Sequence, residues 1–329
     1  MVTHIYHGVF GVKNMKSSLQ IQDISVPSGT KAQGFLNVVG TSVKLPIVIV
    51  NGANDGQTLL VTAGIHGGEY PSIEAAIRFG RELDPTVVNG AVIVMSPVSL
   101  NAFHARQAFL VPEDGKNLNR VFPGKALGTV AERMAYTIMN AVAPHISAWV
   151  DLHGGDIPEA LIPLVGCATS DDAQLWEQSL AMAEAFGIPY LMPLNSIMGT
   201  TVSAATALGI PALLAEAGQL GILDEPNTEL LLNGCRSLAQ HLAILAGEAQ
   251  STTLHIFNGW PWVRSAHSGC WYPTIKVGDI VKAGDLVGVV KDYFGDVLGE
   301  YTAPADGLVL LVCAALSVNV NDPLVGIGS

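Results

Sequence analysis

Apolar residues fall along this chain in short continuous runs punctuated by Gly, Pro and Asp. Leu59-Leu60-Val61-Thr62-Ala63 ends at Gly64, Ala91 to Met95 ends before Ser96-Pro97, Ala148-Trp149-Val150 leads into Asp151, and Ala212 to Ala215 ends at Glu216. Runs of this length predict strands buried on both faces of a mostly parallel sheet. Between them the apolar spacing turns helical. Helices are predicted from Pro71-Ser72 to Asp84-Pro85, over Val130 to Val142, over Asp172 to Phe186 and from Glu225 to about Ala246. Ile21 to Val26 and Leu45 to Val50 predict an antiparallel edge, and Leu161 to Val165 one further strand. Strand alternating with helix is the order of an α/β fold.

Near residue 250 the pattern changes. From about Ser251 to Ser329 no helical period survives, and short Val/Leu/Ile-rich pieces are separated by Gly-Asp, Ala-Gly-Asp and Ala-Asp-Gly turns. The expected organisation is therefore an α/β domain over 1–250 and a smaller all-β domain over 251–329. Apolar residues make up 49% and charged residues 13% of the 329, enough for a sizeable core and too little charge for a disordered chain.

Charge narrows the partners. The chain has 28 acidic against 16 basic residues, a formal charge of -12, and no dense Lys/Arg run, which speaks against a phosphate backbone as ligand. No apolar window reaches the 18 to 20 residues of a membrane span, and Met1 to Tyr6 has no export leader. Four scattered cysteines, Cys167, Cys235, Cys270 and Cys313, read as reduced thiols. A cytoplasmic protein is expected; homo-oligomerisation is left open.

Three segments carry candidate chemistry, each where a strand meets a loop: His66-Gly67-Gly68-Glu69, Asp151-Leu152-His153-Gly154-Gly155 and Glu216-Ala217-Gly218. The carboxyl ends of parallel strands are where such folds bind ligands. His66 and Glu69, three apart at a helix entrance, can aim at one point, and His153 can reach it from another strand end. Two imidazoles and a carboxylate suit Zn²⁺ and leave a coordination position for water. Ordinary backbone-bonded strand-end histidines are the plainer alternative. Asp151 can either orient His153 as an acceptor or cap a turn. Glu216 is a lone charge in an apolar run, so it serves either as a base in a cleft or as half of a buried ion pair. The flanking glycines let backbone approach a ligand closely.

The stretch from Asn101 to Gly124 is long and rich in Asn, Arg and Gly, and loops of this length in compact domains are usually functional. Arg106 and Arg120 offer planar forks, and Asn117 and Asn119 directed amides. Exposed arginines in solvent are the alternative. With Asn117-Leu118-Asn119-Arg120-Val121-Phe122-Pro123-Gly124 placed between the first and second segments, the ordered set resembles the succinylglutamate desuccinylase/aspartoacylase family of zinc carboxypeptidase-like proteins over residues 45 to 250. The resemblance implies that His66, Glu69 and His153 bind one zinc ion per chain and that Glu216 is the base and later the acid. It also implies that Arg106 polarises the scissile carbonyl while Asn119 and Arg120 hold a substrate carboxylate.

The stretches Val277 to Leu286 and Ala303 to Val309 resemble a biotinyl/lipoyl carrier barrel, but Lys291 lacks the Met-Lys or Asp-Lys context of a modified lysine. A structural or cleft-covering role is the expectation for this module. The expected function is zinc-dependent hydrolysis of the amide bond of a small N-acyl amino acid or related N-acyl compound, acting on carbon-nitrogen bonds other than peptide bonds. The alternatives are a zinc carboxypeptidase acting on peptides, or a non-catalytic metal-binding or carrier protein. Asp156, after the Gly-Gly pair, either meets a cationic substrate group or shapes its loop.

Overall fold

The computed structural model describes residues 17–194 and 198–329. The Met1 to Tyr6 start, read above for a leader, lies outside them. In chain order the elements run β1 (Leu19–Ile21), β2 (Ile24–Val26), β3 (Thr30–Asn37), β4 (Lys44–Asn51), β5 (Asn54–Ala63), α1 (Tyr70–Glu82), β6 (Asn89–Met95), α2 (Leu100–Ala105), α3 (Val130–Ala141) and β7 (Ala148–His153). They continue with β8 (Glu159–Leu161), β9 (Leu164–Cys167), α4 (Ala173–Phe186), β10 (Tyr190–Pro193), α5 (Thr201–Ala207), β11 (Ala212–Glu216), α6 (Glu225–His241) and β12 (His255–Ile256).

Nine of these strands form one sheet in the order β12-β10-β9-β11-β7-β5-β6-β4-β3. Five neighbouring pairs are parallel, and β11 with β9, β6 with β4 and β4 with β3 are antiparallel. Successive side chains of a strand point to opposite faces, and β5 shows the consequence. Leu59, Val61 and Ala63 pack with Phe79 of α1, Phe186 of α4 and Leu231 of α6. Leu60, between them, faces Ile138 of α3 and Val202 of α5 on the other side. A mixed, mostly parallel sheet between helices is the architecture the apolar runs predict.

The departures have local causes. Ile21 to Val26 is a two-strand hairpin of its own, and the sheet edge is β3, whose polar alternation hides it from a search for apolar runs. Leu161 to Val165 is not one strand. Pro163 interrupts it, so β8 leaves for the C-terminal region and β9 enters the large sheet. Helix α6 ends at His241, where Ala243 takes a left-handed backbone and the Ile244 N–H bonds back to the Ala239 carbonyl, folding Ile244 into the core.

Beyond β12 come β13 (Trp262–Arg264), β14 (Gly269–Pro273), β15 (Ile280–Val281), β16 (Leu286–Lys291), β17 (Val297–Thr302), β18 (Gly307–Cys313), β19 (Ser317–Val318) and β20 (Pro323–Gly328). They make two antiparallel sheets, β13-β20-β18-β15 and β17-β16-β14-β19, around Trp271, Val287, Val290 and Ile327. Strand β8 adds to the first of them through β18, while β12 belongs to the large sheet. No described helix is long and apolar enough to cross a membrane.

Candidate active site

Strands β5, β7 and β11 are neighbours, all parallel, so their carboxyl ends open on one side of the sheet. Each ends on one of the three segments. His66 follows β5, Glu69 immediately precedes α1, His153 closes β7 and Glu216 closes β11 directly opposite it. One ligand atom from each of His66, Glu69 and His153 falls within 4.8 Å of the others, and all three residues are buried. Distant stretches of chain thus converge on one point that could hold a metal ion.

The imidazoles are oriented from behind. Nδ1 of His66 lies 2.6 Å from one Glu69 oxygen and Nδ1 of His153 lies 2.9 Å from the other. The outer nitrogens have their own partners. His66 Nε2 meets the Asn117 Oδ1 at 3.1 Å, and His153 Nε2 meets the Asp151 Oδ2 at 2.8 Å. A carboxylate on Nε2 fixes the ring tautomer and leaves the Nδ1 lone pair for a cation. Asp151 is itself held by the hydroxyls of Thr62 (2.6 Å) and Thr201 (2.5 Å), and Trp149 Nε1 donates to Thr62 (2.8 Å). Burial pushes the Glu69 carboxyl up, and the two imidazoles more than reverse this, holding it at about 2. For His153 burial acts downward, but Asp151 and Glu69 raise it well above the ordinary value. A pocket this negative favours positive charge at its centre.

Glu216 answers to a different environment. Burial drives its carboxyl well above the usual range, with the His153 imidazole as the opposing influence. Its Oε2 is fully buried and has no hydrogen-bond partner among the described residues. The buried ion pair offered as its alternative role is absent from the described ion pairs. Around these groups lies a cavity of about 870 Å³, within the range of small-molecule sites.

Asn119 and Arg120 reach this cavity from a short 3-10 turn, Leu118–Arg120, capped by the Asn117 side chain. The Asn119 amide oxygen accepts from the Thr201 N–H (2.9 Å), which ties this side chain to the start of α5, and its nitrogen lies 3.2 Å from His153 Nε2. Among the described residues the Arg120 guanidinium donates one bond, to the Asn119 carbonyl (2.7 Å). Arg106 stands apart. It follows α2 in a left-handed conformation, exposed, and does not line the cavity. Asp156 is buried with both oxygens taken by the backbone N–H groups of Ile157 and Phe109, which makes it a brace of its loop.

The glycines are crowded by protein. A Cβ on Gly67 would lie 2.3 Å from the Ala102 carbonyl carbon of α2, and one on Gly154 would lie 2.5 Å from the Ala217 carbonyl oxygen. The two hydroxyls on Asp151 went unnoticed in the sequence, although Thr62 is the polar residue in an apolar run. Glu159 also lines the cavity, as do Trp260 and Trp262 of the C-terminal region, whose rings stack at 4.8 Å. Of these only the acid between Pro158 and the apolar Ala160-Leu161-Ile162 left a signal in the sequence.

Residues 55–242, more than half of the chain, match the family description "Succinylglutamate desuccinylase/Aspartoacylase catalytic domain". The chain belongs to this family. Among similar proteins is an N-alpha-acetyl-L-2,4-diaminobutyric acid deacetylase of Halomonas elongata, 29% identical over 292 residues that span 86% of this chain and 85% of the relative. Similar solved structures include a family member from Rhodobacter sphaeroides (TM-score 0.82, 26% identity, 91% of this chain and 95% of that one). A product-bound ectoine utilization protein from Ruegeria pomeroyi aligns with TM-score 0.83 and 26% identity over 92% of this chain and 97% of its own. These family members share both the α/β sheet and the C-terminal β region.

Proposed function

We propose that this chain is a zinc-dependent hydrolase that cleaves the amide bond of a small N-acyl amino acid or related N-acyl compound. The observation that carries this reading is the unpartnered, buried oxygen of Glu216 in the same cavity as the His66-Glu69-His153 cluster. Two imidazole nitrogens and a carboxylate, with no thiol, suit zinc with an open position. His66, Glu69 and His153 would hold the ion, which when bound supplies Lewis acidity to the cavity.

The remaining steps belong to the chain. Glu216 takes a proton from the attacking water and returns it to the amine nitrogen as the amide bond breaks, and burial, which raises its carboxyl well above the usual range, favours its holding that proton between the two steps. Arg120, with most of its N–H groups uncommitted among the described residues, suits a bidentate grip on the substrate carboxylate. The relative from Halomonas elongata removes an acyl group from an amino acid, which supports the reaction class. Residues of the C-terminal region, among them Trp260, Leu311 and Pro323, form one wall of the cavity, which supports small amides over long peptides. Against a carrier role, Lys291 lies within β16, its ammonium 5.1 Å from the Tyr272 ring centre, and the hairpin turns beyond it at Asp292 to Asp296.

The test is Glu216→Gln with N-acetyl amino acids, a dipeptide and a longer peptide as substrates. Zinc content should stay at one ion per chain while kcat falls by about 10² to 10⁴. Normal turnover by the variant excludes Glu216 as the base, and preferential trimming of the longest peptide overturns the deacylase reading.

A further inference from the structure

Phe109 stands beside the metal cluster in a conformation that a bulky side chain rarely adopts. Its φ is +56°, and the Leu110 N–H folds back to the Ala108 carbonyl (2.6 Å) around it, a three-residue turn of the strained, left-handed kind. Such a residue persists only where its surroundings over-determine it, and strain of this sort gathers at ligand-binding walls. The surroundings here are specific. The Phe109 N–H donates to Asp156 Oδ2 (2.8 Å), and the other Asp156 oxygen accepts from the Ile157 N–H (2.7 Å). Buried Asp156 has room because Gly68 lacks a Cβ, which would lie 2.1 Å from its Oδ1. Held in this way, the Phe109 ring lines the catalytic cavity and meets the His66 imidazole edge to face, the ring centres 5.8 Å apart at 81°.

The order of the strands indicates which half of the substrate meets this ring. Across the sheet Glu216 closes β11, His153 closes β7 and His66 follows β5, with Phe109 at the His66 end. Glu216 serves the amine nitrogen, and Arg120, whose guanidinium feels the Glu216 charge, holds the carboxylate on that side. The acyl group is left to point toward Phe109. The wall there is apolar. Pro158 lines the cavity two residues beyond Asp156, and its carbonyl accepts from the Ala314 N–H (2.7 Å), whose neighbours Cys313 and Ala315 line it too. Among the described residues two guanidinium groups line the cavity, and neither serves this wall. Arg120 belongs to the Glu216 side, and Arg264 donates to the Asn321 carbonyl (2.9 Å) with its charge 6.0 Å from the Trp262 ring centre. We infer that Phe109 is a specificity-determining residue that packs against the acyl group, so that the preferred acyl group is an apolar chain longer than acetyl and not a dicarboxylic one. The cavity of about 870 Å³ has room for such a chain, and an aromatic face against aliphatic carbon gains by removing both from water.

This inference rests on the deacylase reading, and binding separates the two. In the Glu216→Gln background, which keeps the amide intact, the zinc-loaded full chain is titrated calorimetrically with N-acetyl-, N-isocaproyl- and N-succinyl-L-alanine. The isocaproyl and succinyl groups have the same shape and differ in charge. The isocaproyl ligand should bind about 10- to 100-fold more tightly than either of the others, as expected for burying several additional apolar carbons. Adding Phe109→Gly should bring it to within about threefold of the acetyl ligand, whose own affinity stays within about twofold, with zinc content unchanged. The thermal midpoint should stay within about 3 °C, because glycine adopts this φ without strain. Phe109→Leu, which keeps apolar bulk, should retain part of the preference. Equal binding of the acetyl and isocaproyl ligands, tightest binding of the succinyl ligand, a preference that survives Phe109→Gly, an equal loss for all three, or no binding by any of them overturns the role of Phe109. Binding with the expected preference but no hydrolysis by the Glu216 protein counts instead against the deacylase reading.

Discussion

Asp151 is the residue through which the orientation of His153 is set. It is fully buried and accepts from Thr62, Thr201 and the His153 ring, so its charge is spread over three donors. Replacing it by Asn preserves the shape and removes the charge. Asp151→Asn should lower metal affinity by about 10- to 100-fold, measured by competition with a chromophoric chelator, with the circular dichroism of the fold retained. An unchanged affinity would reduce Asp151 to a structural acceptor. The His66-Glu69-His153 cluster was legible in the sequence because His66 and Glu69 are near neighbours and His153 lies in a motif with Asp151. The hydroxyls that position Asp151 were not, because Thr62 and Thr201 meet it only after β5 and α5 pack against β7.

At the scale of elements, the apolar runs located β5, β6, β7 and β11 and the helices α1, α3, α4 and α6, because each buries a continuous or periodic face. Short elements escaped. Helix α2 has six residues with Ala102 alone buried, α5 has seven, and β3 is largely exposed, so none carries enough periodic signal. Yet α2 matters to the site, because its backbone closes over Gly67 and the chain beyond it leads to Asn117 and Arg120. Gly67→Ala would drive a methyl against the Ala102 carbonyl carbon and the Phe103 nitrogen, 2.3 and 2.4 Å away, and backbone cannot yield as a flexible side chain can. A loss of about 1 to 3 kcal/mol in stability is expected, with weaker metal binding. Gly80→Ala is the contrast. Inside α1 its new methyl meets only Val94 side-chain atoms at 3.4 to 3.7 Å, and helix propensity should raise stability by about 0.5 to 1 kcal/mol. Thermal midpoints that moved the same way in both variants would refute this account of Gly67.

For the whole molecule the question is whether the break in pattern near residue 250 separates two independent folding units. Among the contacts that cross it, three tie sheet to sheet. Strand β12, beyond the break, pairs with β10 at the edge of the large sheet; β8, before it, pairs with β18; and Leu164 and Met192 share a buried cluster with Phe257 and Leu310. Cutting the chain at 250 would therefore expose apolar side chains, strip the edge from β10 and leave β8 unpaired. It would also remove the wall of the cavity that carries Trp260 and Trp262. The expectation is one cooperative transition for the full chain in scanning calorimetry, and a 1–250 fragment that aggregates or unfolds without one. Leu310→Ala supplies the sharper test, because this fully buried side chain stands in β18 while its partners Leu164 and Met192 belong to β9 and β10. Its loss should cost about 2 to 5 kcal/mol and lower the single transition as a whole. Independent units would respond differently: the C-terminal transition alone would fall, the other would stay in place, and the calorimetric trace would divide into two peaks.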